Sequence, residues 1–181
     1  MALRESSPEH WDEADFRAVF LQHYARIVDI LVRLLGDRSH AEDLANDAFW
    51  RLYRRPALQS DGNMGGWLYR TATNLAIDAL RMSGRRRQHE DAAGRQAPDR
   101  SADGPLENLL RDEKCRRVHE VLSFIKPAQA QLLILRSSGL SYKELADTLE
   151  VNMSSIGTML NRAEEEFRNL YLARHPNEEE L

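Results

Sequence analysis

Three groups of residues in this chain have types and spacings suited to chemistry, and all three point to binding rather than to bond-making. From Ser141 to Arg162 the spacing is that of two helices crossing at a tight turn. Ala146 is the small residue at the crossing, Val151 follows the turn, and Ile156 anchors the second helix, with Leu145, Leu149 and Leu160 completing a core. Ser155, Thr158, Asn161 and Arg162 would then face outward, carrying the donors and acceptors that read base edges in a DNA major groove. An ordinary helical hairpin satisfies the same spacing. In the second group, Thr71, Asn74, Asp78 and Arg81 recur at i, i+3, i+7 and i+10 and share one helix face. Beside Trp67 and Tyr69 they suit edge hydrogen bonds and stacking with unpaired bases, and Arg85, Arg86 and Arg87 beyond them suit phosphate. The alternative is a solvated helix face running into a soluble linker. The third group, Glu42, Asp43 and Asp47, is acidic. It is either a docking face for a basic protein or negative charge near a helix N-terminus, worth about 0.3–1 kcal/mol against the macrodipole.

Catalysis finds little support. The histidines at 10, 23, 40, 89, 119 and 175 are scattered and pair with no nucleophile at a recognisable spacing. There is no glycine loop for phosphate and no Cys/His cluster for a metal, so no catalytic residue, cofactor or metal site is expected. Cys115 is the single cysteine, which rules out an internal disulfide and suits a reducing cytosol.

The elements that must position these groups are helical. Apolar residues recur three or four apart, with only 9 glycines and 6 prolines among 181 residues, and an all-α fold follows. A first helix is expected from about Asp12 to Leu35, with Phe16, Phe20, Tyr24, Ile27, Leu31 and Leu34 as its stripe and Gly36 as its stop. Ser39 and Glu42 read as a capping box opening a second helix that Pro56 closes. Ala57 to Gly66 reads as a loop and Trp67 to about Met82 as a third helix. Apolar residues then vanish until Leu106, whose helix would pack through Leu109, Leu110, Val118, Val121, Leu122 and Ile125. Pro127 opens the next helix, which Gly139 ends; Ser141 and Glu144 cap a short helix to Leu149, and a last helix spans about Ser154 to Leu172.

Two small helical domains are therefore expected, at 12–83 and 106–173, joined by a flexible linker at 84–105. A flexible N-terminus at 1–11 and an acidic tail at 174–181 flank them. The formal net charge is −4, whereas a protein that binds nucleic acid by itself is usually basic. Such a balance suits a chain that meets DNA while docked on a larger basic machine. No apolar run approaches a membrane span, and Met1 to Trp11 offers no signal peptide, so a cytoplasmic protein without direct membrane insertion is expected.

Together these pieces resemble the extracytoplasmic-function sigma factors of bacterial RNA polymerase across nearly the whole chain. LLGDRSHAEDLANDAFWRLYRR (34–55) looks like the family's core-polymerase docking element, GWLYRTATNLAIDALRMSGRRR (66–87) like its −10 recognition helix, and GLSYKELADTLEVNMSSIGTMLNRAEEEFRNLY (139–171) like its −35 helix-turn-helix. The resemblance implies that Glu42, Asp43, Asn46, Asp47 and Arg51 dock on the β′ clamp coiled coil, with the β subunit as a further contact. It implies that the Ser60 to Gly65 loop, with Ser60, Asp61 and Asn63, receives a flipped base, and that Asn74 and Asp78 face the non-template strand. It implies that Ser154 joins Ser155, Thr158, Asn161 and Arg162 at the −35 element. Promoter DNA and core polymerase are then the partners, an anti-sigma factor that clamps both domains is a further one, and chemistry stays with the polymerase.

Some positions depart from the family pattern. Glu150 stands where the turn usually carries glycine, and a left-handed non-glycine residue costs about 1 kcal/mol. Gly157 and Met159 replace basic residues on the last helix, and Gly157 weakens that helix by about 0.8–1 kcal/mol relative to alanine. Glu164, Glu165 and Glu166 repel phosphate. Two other readings fit the same residues: a stand-alone helix-turn-helix regulator, and a sigma-like protein-interaction adaptor.

Overall fold

Short carboxylates and glycines divide the chain into helices. The computed structural model describes residues 11–56, 58, 62–92 and 106–176. Among these lie α1 (Glu13–Leu35), α2 (Arg38–Tyr53), α3 (Met64–Ala92), α4 (Leu106–Phe124), α5 (Pro127–Ser137), α6 (Tyr142–Leu149) and α7 (Met153–Arg174), and no strand. The fold is all-α, as the periodicity requires.

Asp12 caps α1 by accepting from the Ala14 N–H, and Gly36 ends it at φ 71° while its own N–H donates to Val32. Ile27, Leu31 and Leu34 are buried along the expected stripe. The aromatic half of that stripe meets α2: Phe20 and Tyr24 lie 4.9 and 5.8 Å from the Phe49 ring. Trp11, just before α1, packs against the end of α2, its buried indole N–H donating to the Leu52 carbonyl at 3.0 Å. The inner face of α2 is small, with Ala41, Ala45 and Ala48 fully buried.

Three boundaries differ from the sequence expectation. At α2 the cap is Asp37, which accepts from the His40 N–H; Glu42 turns instead to Arg38. The first carboxylate after a left-handed glycine already has extended backbone and captures the helix N-terminus before Ser39 can. At α3 the helix starts at Met64 because Asn63 accepts from the Gly66 N–H at 3.1 Å. A Cβ on Gly66 would lie 2.3 Å from that amide oxygen. At its other end α3 continues to Ala92, through the first part of the expected linker. Apolar residues do vanish there, but Arg85, Arg86, Arg87 and Gln88 favour helix without a core face, and no proline intervenes. The rest of the expected linker, residues 93–105, lies outside the described residues, as do 1–10 of the N-terminus and 177–181 of the tail.

Farther along, Val121, Leu122 and Ile125 of α4 are buried; the side chains of Leu106, Leu109 and Leu110 lie outside the described set. Gly139 takes φ 86° after α5. Both halves of the Ser141–Glu144 capping box form at α6.

Contacts gather the chain into two compact units, Met1–Ala76 with Ile134–Gly157, and Ile77–Leu133 with Thr158–Leu181. This grouping differs from a division at 84–105, since α6 and its flanking turns join α1, α2 and the first part of α3. In the first unit Leu68, Leu140, Leu145 and Ile156 are fully buried; in the second, Val121, Ile125, Leu132 and Ala163 are.

Candidate docking and nucleic-acid surfaces

The outer face of α2 follows from its alanines. With Ala41, Ala45, Ala48 and Leu52 turned inward, the 3.6-residue repeat sends Asp43, Asn46 and Asp47 outward. Asp43 and Asn46 are exposed, and Asp47 is half-buried. Two of the acids are paired along their own helix: Glu42 with Arg38 at 2.9 Å, and Asp47 with Arg51 through two hydrogen bonds of 3.2 and 3.0 Å. Such exposed i,i+4 pairs are worth about 0.3–0.5 kcal/mol and exchange readily for a partner's charges.

The sequence reading missed the centre of this face. Trp50 is 58% exposed, and its ring stacks on Tyr53 at 5.9 Å and 16°. Large aromatic side chains in water beside unpaired polar groups mark an interaction surface more strongly than the acids do. The signal was available: Asn46, Trp50 and Tyr53 fall at i, i+4 and i+7, opposite the alanines.

On α3 the expected set divides. Asn74 and Asp78 are exposed, as are Arg85 and Arg86, and Thr71 is half-buried. Ser60 and Asp61 lie outside the described residues, and so does the side chain of Arg87. Three other members are engaged within the protein. Tyr69 is 8% exposed, its hydroxyl 3.5 Å from His23 Nδ1 and its ring 5.5 Å below the Arg26 guanidinium, so it has no face left for a base. Burial raises the Tyr69 pKa. Burial first, and then Arg26, lower that of His23. Tyr69 belongs to the phase of Ala72, Thr73 and Ala76, all buried; its aromatic type suggested stacking, and its helical phase forbids it. Arg81 donates to the carbonyls of Ser123 and Ile125 at 3.2 and 2.8 Å, neutralising acceptors that the end of α4 leaves without helical partners. Asn63 is committed twice: its oxygen caps α3, and its Nδ2 donates to the Asp147 carbonyl at 2.6 Å. Trp67 is half-buried, with the Arg55 guanidinium 5.9 Å from its ring centre.

In the α6–α7 segment, Leu145, Ala146, Ile156 and Leu160 are buried, and Leu149 and Val151 half-buried. Glu150 takes the left-handed conformation at φ 57° and ψ 42°, and Asn152 caps α7 by accepting from the Ser154 N–H. Ser154, Ser155, Thr158, Asn161 and Arg162 are all exposed. Of the acids that follow, Glu164 and Glu165 face solvent, while Glu166 accepts from Gln129 at 2.6 Å. Glu144 has its pKa lowered, chiefly by the Ser141 N–H and hydroxyl and further by Arg26; Glu150 is lowered by Arg70.

No cluster of three or more potential metal ligands occurs among the described residues, and no helix there is long and apolar enough to cross a membrane. Cys115 is exposed.

The sigma-70 region 2 family matches residues 19–86, which hold all of α2 and most of α3. The chain is 31% identical over 173 residues to the ECF RNA polymerase sigma factor SigE of Mycolicibacterium smegmatis, covering 93% of this chain and 63% of that relative. It is 29% identical over 163 residues to the RNA polymerase sigma-H factor of Pseudomonas aeruginosa, covering 85% and 84%. The first relative is thus matched over a little less than two thirds of its length. Among solved structures, the sigma factor RpoE of Bartonella quintana, crystallised with the anti-sigma factor NepR, matches with a TM-score of 0.49 and 22% identity over 86% of this chain and 96% of its own. Residues 19–86 match sigma-70 region 2, and over most of its length the chain is similar to RNA polymerase sigma factors, an extracytoplasmic-function one among them.

Proposed function

We propose that this protein binds core RNA polymerase and directs it to a specific set of promoters, where it recognises the −10 and −35 elements and assists strand opening. The observation that carries the reading is the outer face of α2, where Asp43, Asn46 and Asp47 surround the exposed Trp50 within the region 2 match. This face would hold the β′ clamp coiled coil, with Glu42 and Arg51 released from their pairs along the helix to meet it. Asn74 and Asp78 on the exposed side of α3 would trap the separated non-template strand, with Arg85 and Arg86 on its phosphates. Capturing unstacked bases offsets the few kcal/mol that unpairing costs. Ser154, Ser155, Thr158, Asn161 and Arg162 on α7 would read the −35 duplex. By function the chain divides into a docking and −10 block at 12–83 and a helix-turn-helix block at 106–173. The protein supplies recognition and no chemistry, works in the cytoplasm, and is open to control by an anti-sigma factor.

The test is transcription in vitro with purified core polymerase on genomic fragments, with permanganate to detect unpaired thymines. Defined start sites and thymines that react only when the chain is present are expected. A chain that never joins the polymerase would overturn the reading. Docking without melting would leave an adaptor, and specific duplex binding without polymerase would leave a stand-alone regulator.

A further inference from the structure

Where Arg81 reaches the end of α4, the two helices border a cavity of about 260 Å³, lined by Arg81, Gly84, Arg85, Ser123 and Phe124. All five residues fall within one compact unit, Ile77–Leu133 with Thr158–Leu181. Gly84 is the residue that points to an occupant. It stands inside α3, where glycine weakens a helix. It is not among the glycines with positive φ, so its backbone does not call for it. A Cβ there would meet only Ser123 Oγ, at an ordinary 3.6 Å, so packing does not forbid a side chain either. What glycine leaves is room, the use it has where a backbone runs close to a ligand.

The charges around that room favour an anion. Arg81 spends two hydrogen bonds on the Ser123 and Ile125 carbonyls, and a guanidinium carries five N–H donors. Arg85, one helical turn on, is exposed, and no carboxylate lines the cavity. The C-terminal end of α4 brings only about half a negative charge, which two guanidiniums outweigh. Phe124 supplies an apolar wall. The Arg174 guanidinium lies 3.5 Å from its ring centre, yet the residue remains 43% exposed. Arg174 is itself paired with Glu120 at 3.0 Å and adds no net charge.

We propose that this cavity is a binding site for a small phosphate monoester with a flat body, and that a nucleoside monophosphate is the class it takes. The phosphate would lie over Gly84 between Arg81 and Arg85, the geometry in which guanidinium forks hold phosphate well, and the base would lie against Phe124. The volume falls below the about 300–1,000 Å³ of pockets for drug-sized ligands, which suits one nucleotide and not a longer strand. Binding here needs neither polymerase nor promoter DNA; Arg85 is the one group shared with the proposed −10 surface.

The test follows the amide resonances of the full chain by NMR during titration with AMP at low salt. Saturable shifts centred on Gly84 and Ser123 are expected, with none from adenosine and weaker binding of inorganic phosphate. Arg85→Ala should weaken AMP binding by about 10-fold or more, the loss of a hydrogen bond to a charged group. Gly84→Leu keeps every charge but fills the cavity, so it should abolish the shift at Ser123 while the melting temperature holds or rises. A merely structural glycine predicts binding as in wild type. Arg17→Ala, at an exposed position on α1, should also bind as wild type and so controls for general attraction between charges. Absence of a saturable shift up to about 10 mM AMP would overturn the site. So would normal binding by Gly84→Leu, or equal losses in Arg17→Ala and Arg85→Ala, and the arginine pair decides if Gly84→Leu folds poorly. A thymidine pentanucleotide that binds at Gly84 where AMP does not would make the occupant a strand, and the small-ligand assignment would fall.

Discussion

The outer faces of α2 and α3 adjoin in sequence but are built differently. On α2 two of the acids pair along their own helix, Glu42 with Arg38 and Asp47 with Arg51, around an exposed aromatic pair. On α3 several polar residues reach other segments: Arg70 to Glu150, and Arg81 to the end of α4. A surface paired to itself is ready for a partner as it stands. The α3 contacts that reach other segments hold the fold, while Asn74, Asp78, Arg85 and Arg86 stand exposed beside them. In the proposed function the polymerase meets the outer face of α2, and DNA meets the exposed positions of α3.

The largest expected effect lies at the centre of the ready face. Trp50→Ala should weaken core polymerase binding by about 30-fold or more, the cost of a truncated aromatic hot spot. With the ring 58% exposed, the unfolding midpoint should hardly move. Titration of labelled polymerase together with thermal unfolding checks both. Unchanged affinity would remove α2 from the docking surface and erase the contrast with α3.

Next comes a pair of arginines four residues apart on α3. Arg81→Ala should lower stability by about 1–3 kcal/mol, since it removes charged hydrogen bonds to two carbonyls. Arg85→Ala, at an exposed position, should leave stability within about 0.5 kcal/mol of wild type. In the holoenzyme it should instead reduce the salt dependence of promoter binding by roughly one ion. Denaturant unfolding and a salt titration separate the two, and equal behaviour would mean that the arginine run acts as one unit.

That contrast also marks where the sequence stopped being legible. Periodicity located the seven helices among the described residues, because burying an apolar stripe needs only local spacing, and the Ser141–Glu144 box was readable because capping is local too. The exposed Asn74, Asp78 and Ser155 were legible for the same reason, as positions opposite a core face. Tyr69 and Arg81 were not. Their side-chain chemistry suits DNA, but His23, Arg26, Ser123 and Ile125 claim them across 42 to 46 residues of sequence. Trp50 shares the helical phase of the exposed acids, opposite the alanines. The anomaly at Glu150 was visible as a residue in the wrong place; its partner Arg70, 80 residues away, was not.

The smallest effect is a pH dependence at α6. The Glu144 pKa is lowered in the folded chain, first by the Ser141 N–H and hydroxyl and then by Arg26. A depressed carboxylate contributes stability that is complete above its unfolded pKa, near 4.5, and that disappears as pH falls through the folded value. Glu144→Gln keeps an oxygen able to accept from Ser141 but carries no charge. The variant should melt slightly below wild type at pH 7, and the two curves should converge as the pH drops below 4.5. At 45% side-chain exposure water screens most of the interaction with Arg26, so the gap will be a small one. Thermal melts from pH 7 down to pH 3 at low and high salt measure it. A gap that persists unchanged into acid would mean that Glu144 caps α6 by shape alone, and that its charge does nothing to hold α6 to α1.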